Sequence, residues 1–159
     1  MENKLINSPE VLLEDFNRIL VLSDIDDSSI SIKFERLKAG HHLPKFRAGN
    51  MVIYVFIFNG ETLKVGKAGP RSKARFCSQH YSSKAAKSTL ASSLLKDQDF
   101  AFKYRLNELN VGQWLKDSTE RWSFFIEEKH GIYVLNLLES FLHCRLKPRY
   151  EGFLGQISH

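Results

Sequence analysis

The feature that most limits what this chain can become is the run Val52-Ile53-Tyr54-Val55-Phe56-Ile57-Phe58, followed by Asn59-Gly60 and then by Thr62-Leu63-Lys64-Val65. An uninterrupted stretch of β-branched, aromatic and apolar residues reads as a central strand covered on both faces, because a half-exposed strand would alternate with polar residues. Asn-Gly is the preferred pair for a two-residue hairpin turn, since both positions tolerate positive φ. The second segment is therefore expected to return as an antiparallel partner, ended by Gly66 and Gly69-Pro70. The apolar run is much too short to span a bilayer.

Other elements arrange themselves around this hairpin. Ser8-Pro9-Glu10 has the order of a helix start, with Ser as cap, Pro at the first helical position and an acid in the first turn. Val11, Leu12, Phe16, Ile19 and Leu20 follow at helical spacing. Ile30, Ile32 and Phe34 alternate with Ser31 and Lys33, the pattern of a half-buried strand. Residues 1–48 thus read as an N-terminal extension of helix and strand. After the hairpin the pattern turns helical from Ser72 and carries Arg75, Cys77 and His80. A second helix is expected over 88–96, a short third over 112–116, a strand over 122–126 and a long helix over 131–145, stopped by Pro148. The expected fold is α/β of the α+β kind: a small, largely antiparallel three-stranded sheet flanked by helices. The main domain would span 49–159, with an insertion at 82–117.

Composition narrows the class. With 43% hydrophobic and 26% charged residues among 159, the chain has enough apolar content to fold nearly end to end, which excludes a disordered tail or linker. A formal net charge of +5 favours an anionic partner, of which nucleic acid is the commonest. Cys77 and Cys144 stand in no CxxC or Cys/His spacing, so neither a zinc site nor a disulfide framework is expected, and a reducing cytoplasm fits. Met-Glu-Asn-Lys-Leu opens no secretory signal, and a cytoplasmic protein with no membrane segment is expected.

Val52-Ile53-Tyr54 and Lys64-Val65-Gly66 lie on the two strands of the hairpin, Gly66-Lys67-Ala68 continues the second, and a basic helix with Arg75 follows. Far downstream Leu138-Glu139 opens a stretch that runs to Lys147-Pro148-Arg149-Tyr150-Glu151. This ordered set resembles the GIY-YIG nuclease family over about residues 50–152. The resemblance implies an endonuclease that hydrolyses DNA phosphodiester bonds with one Mg²⁺ or Mn²⁺. Glu139 would be both catalytic and the metal ligand, and Tyr54 would orient or deprotonate the attacking water. Lys64 stands where the family name has a second tyrosine, and could hold a phosphate or favour the tyrosinate; Lys67 is a candidate for either task. Arg75 matches the helical arginine that steadies the phosphate, with Arg71 as the alternative. His80 matches the histidine or tyrosine that follows, with Tyr81 second, and would orient water or serve the leaving group. Glu151 replaces the usual asparagine, as a second acid or as a solvated tail residue.

Elementary chemistry asks for the same groups. Phosphodiester hydrolysis needs a nucleophilic water, stabilisation of charge on phosphorus and help for the departing oxygen. A hard cation that keeps several waters can be anchored by one carboxylate when substrate phosphate supplies further oxygens. Glu139 sits among Leu135, Leu138 and Leu142, one, three or four positions away, so it lies on or beside a buried helix face, where an unpaired acid is costly. A free tyrosine ionises near ~10, so Tyr54 would need a neighbouring cation. Arg71, Lys84, Lys87 and Arg149 are candidate nucleic-acid contacts, since such cations give salt-sensitive phosphate binding. The DNA could be a restriction site, a repair or recombination intermediate, or single-stranded. The alternative reading is a non-catalytic or attenuated nucleic-acid-binding module on the same scaffold. His41-His42 is a vicinal pair in a loop and no metal signature by itself.

Overall fold

The computed structural model describes residues 8–25, 27–86 and 89–150. Its sheet has four strands: β1 (Lys33–Leu37), β2 (Asn50–Phe58), β3 (Glu61–Ala68) and β4 (Glu120–Glu127). They lie in the order β1-β4-β2-β3, and every neighbouring pair is antiparallel. The helices are α1 (Pro9–Leu22), α2 (Lys73–Cys77), α3 (Leu90–Lys96), α4 (Gln98–Lys103), α5 (Val111–Ser118) and α6 (Gly131–Leu146). The α+β class and the antiparallel sheet agree with expectation, but the sheet has four strands rather than three. The extension strand pairs along β4, which would otherwise present an open edge of unpaired backbone groups. It also starts later than the Ile30-Ile32-Phe34 alternation predicts. Those three residues are partly buried, so the period records packing before pairing begins.

The hairpin forms as read. Asn59 and Gly60 have φ of 51° and 81°, the two positive values a tight turn of this hand requires. β3, however, does not stop at Gly66 but pairs on to Ala68. Ser8 caps α1 by accepting from the Val11 N–H, and Pro9 takes the first helical position. The helix expected from Ser72 ends early, at Cys77, and a separate 3-10 turn, Gln79–Tyr81, carries His80. α4 was not expected; Asp97 starts it by accepting from the Phe100 N–H at 3.0 Å. α6 closes on Lys147 in the left-handed conformation, just before Pro148.

The sheet separates two cores. One side of β2 presents Met51, Ile53 and Val55 to Leu12, Phe16 and Leu20 of α1 and to Val134, Leu135, Leu138 and Leu142 of α6. The other presents Val52, Tyr54 and Phe56 to Phe76 of α2, Tyr81, Leu90 and Leu94 of α3, Phe100 of α4 and Val111 and Leu115 of α5. Burying each large apolar side chain contributes roughly 1.5–3 kcal/mol before entropy is counted. Cys77 and Cys144 are free thiols. Among the described residues no helix is long and apolar enough to cross a membrane.

Candidate active site

The polar centre of the second core is the phenol of Tyr54, whose side chain is 0% exposed. Tyr54 lies opposite Gly66 in the β2–β3 pairing. Its ring lies over that glycine, and a β-carbon there would fall 2.7 Å from the hydroxyl oxygen. Only glycine allows Tyr54 to reach across the outer strand. The phenolic oxygen lies 2.5 Å from His80 Nε2 and accepts from Arg75 Nε at 3.4 Å. His80 Nδ1 accepts the Leu90 N–H at 3.2 Å, so the neutral ring carries its proton on Nε2 and donates it to Tyr54. Burial first, then the charges of Lys64, Arg121 and Arg75, drive the His80 pKa down to about 3. At neutral pH His80 is therefore a fixed donor to Tyr54, with both ring nitrogens engaged, rather than a group that takes protons.

The break between α2 and the 3-10 turn makes this meeting possible. On a continuous helix, residues five apart would sit roughly 500° around the axis, pointing away from each other. Here the turn swings His80 back so that it and Arg75 reach the same oxygen. The turn is held from behind by α5. A β-carbon on Gly112 would lie 2.4 Å from the Tyr81 carbonyl oxygen, so α5 packs directly on its backbone. Helices α3 and α5 thus form the rear wall of the site, through Leu90 and Gly112.

Glu139 projects from α6 with its side chain 20% exposed, and its Oε2 lies 2.7 Å from Lys67 Nζ. The same ammonium donates to Asn136 Oδ1 at 2.8 Å, one turn earlier on the helix. Glu139 is close enough to Tyr54 for its charge to oppose ionisation of the phenol. Burial is the largest influence on Tyr54 and pushes its pKa up, while Arg75 and Arg121 pull it down. Lys64 is buried on the Tyr54 side of β3 and donates to the Tyr150 carbonyl at 3.3 Å. Tyr54, Lys64, Lys67, Arg75, His80 and Glu139 therefore gather around β3, one of the two edge strands of the sheet.

The other predicted contacts are dispersed. Arg71 and Arg75 are exposed on the segment leading into and along α2, and Lys73 lies between them. Lys84 is exposed and pairs with Glu108 at 3.3 Å. Arg149 donates to Asp97 at 2.9 Å and pairs with Glu61 at 3.6 Å, while its backbone N–H bonds the Thr62 carbonyl. It fastens the segment after α6 to β3 and remains exposed. Lys87 and Glu151 lie outside the described residues.

Two residues at the site were not singled out from the sequence. Asn136 had a usable signal, since it precedes Glu139 by three positions and so shares its helix face. Arg121 had none, because an arginine at a strand start is ordinarily exposed, yet here it is 0% exposed. Among the described residues no three His, Cys, Asp or Glu side chains gather to hold an ion by themselves. The oxygens of Glu139 and Asn136 suit a hard cation that completes its shell with water and phosphate, and do not suit a soft metal. No protein-family model, no curated protein and no solved structure matches this chain.

Proposed function

We propose that the chain is a divalent-metal-dependent DNA endonuclease of the GIY-YIG type. The observation that supports this reading best is the convergence of Arg75 and His80 on the Tyr54 oxygen, with the Glu139–Lys67 pair close by across β3. Burial raises the Tyr54 pKa, and the two N–H groups at its oxygen are what would stabilise the phenolate, because both donors strengthen as charge develops. In that form Tyr54 takes the proton of the attacking water. Arg75 is exposed and follows exposed Arg71 and Lys73 in the chain, so this segment would bring cations to a phosphodiester. Glu139, with Asn136, would hold Mg²⁺ or Mn²⁺, which supplies positive charge to the phosphate and acidity to water when bound. Lys67 keeps the carboxylate paired and placed when no other cation is there.

The test is nicking of a supercoiled plasmid, with and without Mg²⁺, by the protein and by Glu139→Ala. Loss of a charge-organising group of this kind lowers the rate by about 10²–10³ or more. Equal cleavage by both proteins, or cleavage indifferent to the metal, contradicts the proposal. The complete burial of Tyr54 and the occupied Glu139 carboxylate favour a second reading, a binding module that does not cut. Salt-sensitive DNA binding without nicking under any metal identifies that case.

A further inference from the structure

Arg121, on β4, is the largest of the fully buried side chains among the described residues. Its guanidinium carries a delocalised positive charge. Nη1 donates to the Tyr81 hydroxyl at 3.0 Å and Nη2 to the Phe76 carbonyl at 2.6 Å, and Nε meets no acceptor. Both acceptors are neutral, and among the described residues no carboxylate is bonded to it. Four rings enclose the charge, with Cζ 4.4 Å from the centroid of Phe76, 4.9 Å from Phe56, 5.1 Å from Tyr54 and 5.8 Å from Tyr81. Ring faces attract a cation, but a buried charge without a counter-ion opposes folding. A leucine or methionine would pack such a space without that penalty.

The two groups that Arg121 grips say what it does. Phe76 follows Arg75 in the chain and Tyr81 follows His80, and Arg75 and His80 are the two donors to the Tyr54 oxygen. The Tyr81 hydroxyl is itself fixed from the far side. His41 Nε2 lies 2.9 Å from it, while His41 Nδ1 faces the Lys38 carbonyl at 3.3 Å. That carbonyl can only accept, so Nδ1 bears the His41 proton and Nε2 accepts from Tyr81. Burial keeps His41 neutral by lowering its pKa. The Tyr81 oxygen therefore donates outward to His41 and turns a lone pair to Arg121.

We propose that Arg121 is a positioning residue for Tyr54, aligning Arg75 and His80 on the phenolic oxygen while holding an unneutralised positive charge against the Tyr54 ring. The role of Tyr54 in preparing water comes from the nuclease reading above, and the inference rests on it. The charged and titratable groups facing Tyr54 are Arg75 from α2, His80 from the 3-10 turn, Arg121 from β4 and Glu139 from α6, with Lys64 of β3 beside His80. Arg121 is the most deeply buried of them, at 0% exposed against 3% for His80 and 8% for Lys64, so its influence on the ring is little screened by salt.

The experiment places difluorotyrosine, which ionises below tyrosine, at position 54 and follows its titration by fluorine NMR in DNA-free protein. Arg121→Met is expected to raise the midpoint by about one pH unit or more, the usual effect of removing a close opposite charge. Arg121→Lys keeps the charge and is expected to recover more than half of that rise. A midpoint unchanged in folded Arg121→Met overturns the proposal, as does a rise with Lys as large as with Met, which marks a purely packing role. If Arg121→Met does not fold, Arg121→Lys decides alone, and a rise of about one unit overturns the proposal. In plasmid nicking, the rising limb of the pH–rate profile should shift with the midpoint while KM for DNA stays constant. A shifted midpoint in a protein that never nicks DNA upholds the positioning role and overturns the nuclease reading instead.

Discussion

The two faces of the sheet are built from opposite materials. Against α1 and α6 the core is almost wholly aliphatic and aromatic: Leu12, Phe16, Leu20, Ile53, Val55, Leu135, Leu138 and Leu142. Against α2, α3 and α5 the buried space also holds Tyr54, His80, Tyr81 and Arg121, joined by hydrogen bonds. Strand β2 supplies both faces by alternation, so Ile53 and Tyr54, adjacent in sequence, belong to different tasks. The first face stabilises the fold, and the second holds polar groups in one geometry at some expense in stability. A site that needs a buried phenol and a buried cation is tolerable because the opposite face contributes apolar burial in excess.

If this division is right, the largest stability loss comes from the apolar face. Phe16→Ala should destabilise the fold by about 3–5 kcal/mol in urea denaturation, by loss of burial and creation of a cavity. At temperatures where the variant stays folded, its Tyr54 environment should be unaltered. A comparable loss from a conservative change at His80 would break the comparison.

Next in size is a pH effect confined to the polar face. The unfolded chain protonates His80 near the ordinary value of 6.5, whereas the folded chain does so only near about 3. Between those values the unfolded state binds the extra proton, so acid favours unfolding. Stability tied to neutral His80 is intact above pH 6.5 and is lost as pH falls toward 3. Denaturation at pH 7 and pH 4.5 should differ by roughly 2–3 kcal/mol from this group, and His80→Gln should remove most of that difference. An unchanged pH slope in the variant would show that His80 is not buried neutral.

A smaller effect is expected at the crossing of the two strands. Gly66→Ala places a β-carbon against the Tyr54 ring and should cost about 1–3 kcal/mol through overpacking. Nicking should fall further than stability alone explains, because the phenol is displaced from Arg75 and His80. At the bottom of the scale, Lys84→Ala removes an exposed ion pair and should change stability by less than about 0.5 kcal/mol. If Lys84 touches DNA, the salt dependence of binding weakens instead.

How much of this was legible in the sequence follows from where the information lies. The hairpin, the α1 cap and the long helix were readable because an Asn-Gly pair, a Ser-Pro start and an apolar period are local signals. The fourth strand was visible as an alternating segment, but its partner was not, since β1 pairs with a strand some ninety residues away. Tyr54, Arg75 and Glu139 stood out through an ordered pattern of motifs, and their proximity needed the fold. The placement of His80 depended on a helix break at Ser78 that no proline or glycine announces. Arg149 was readable as an exposed cation, but its pairing with Asp97 and Glu61 was not, because those partners are distant in sequence. Arg121 was hidden for the strongest reason: burial of a charge is decided by the whole second core.

The central claim is that the Tyr54 oxygen is the reacting group, and Tyr54→Phe tests it with a single atom. Nicking of supercoiled plasmid in Mg²⁺ should fall by at least about 10²-fold, the lower range for loss of a general base, while DNA affinity stays close to that of the parent protein. The variant should still fold, at a stability cost of about 1–3 kcal/mol for the buried His80 N–H left without an acceptor. Cleavage by folded Tyr54→Phe at the parent rate would contradict the account.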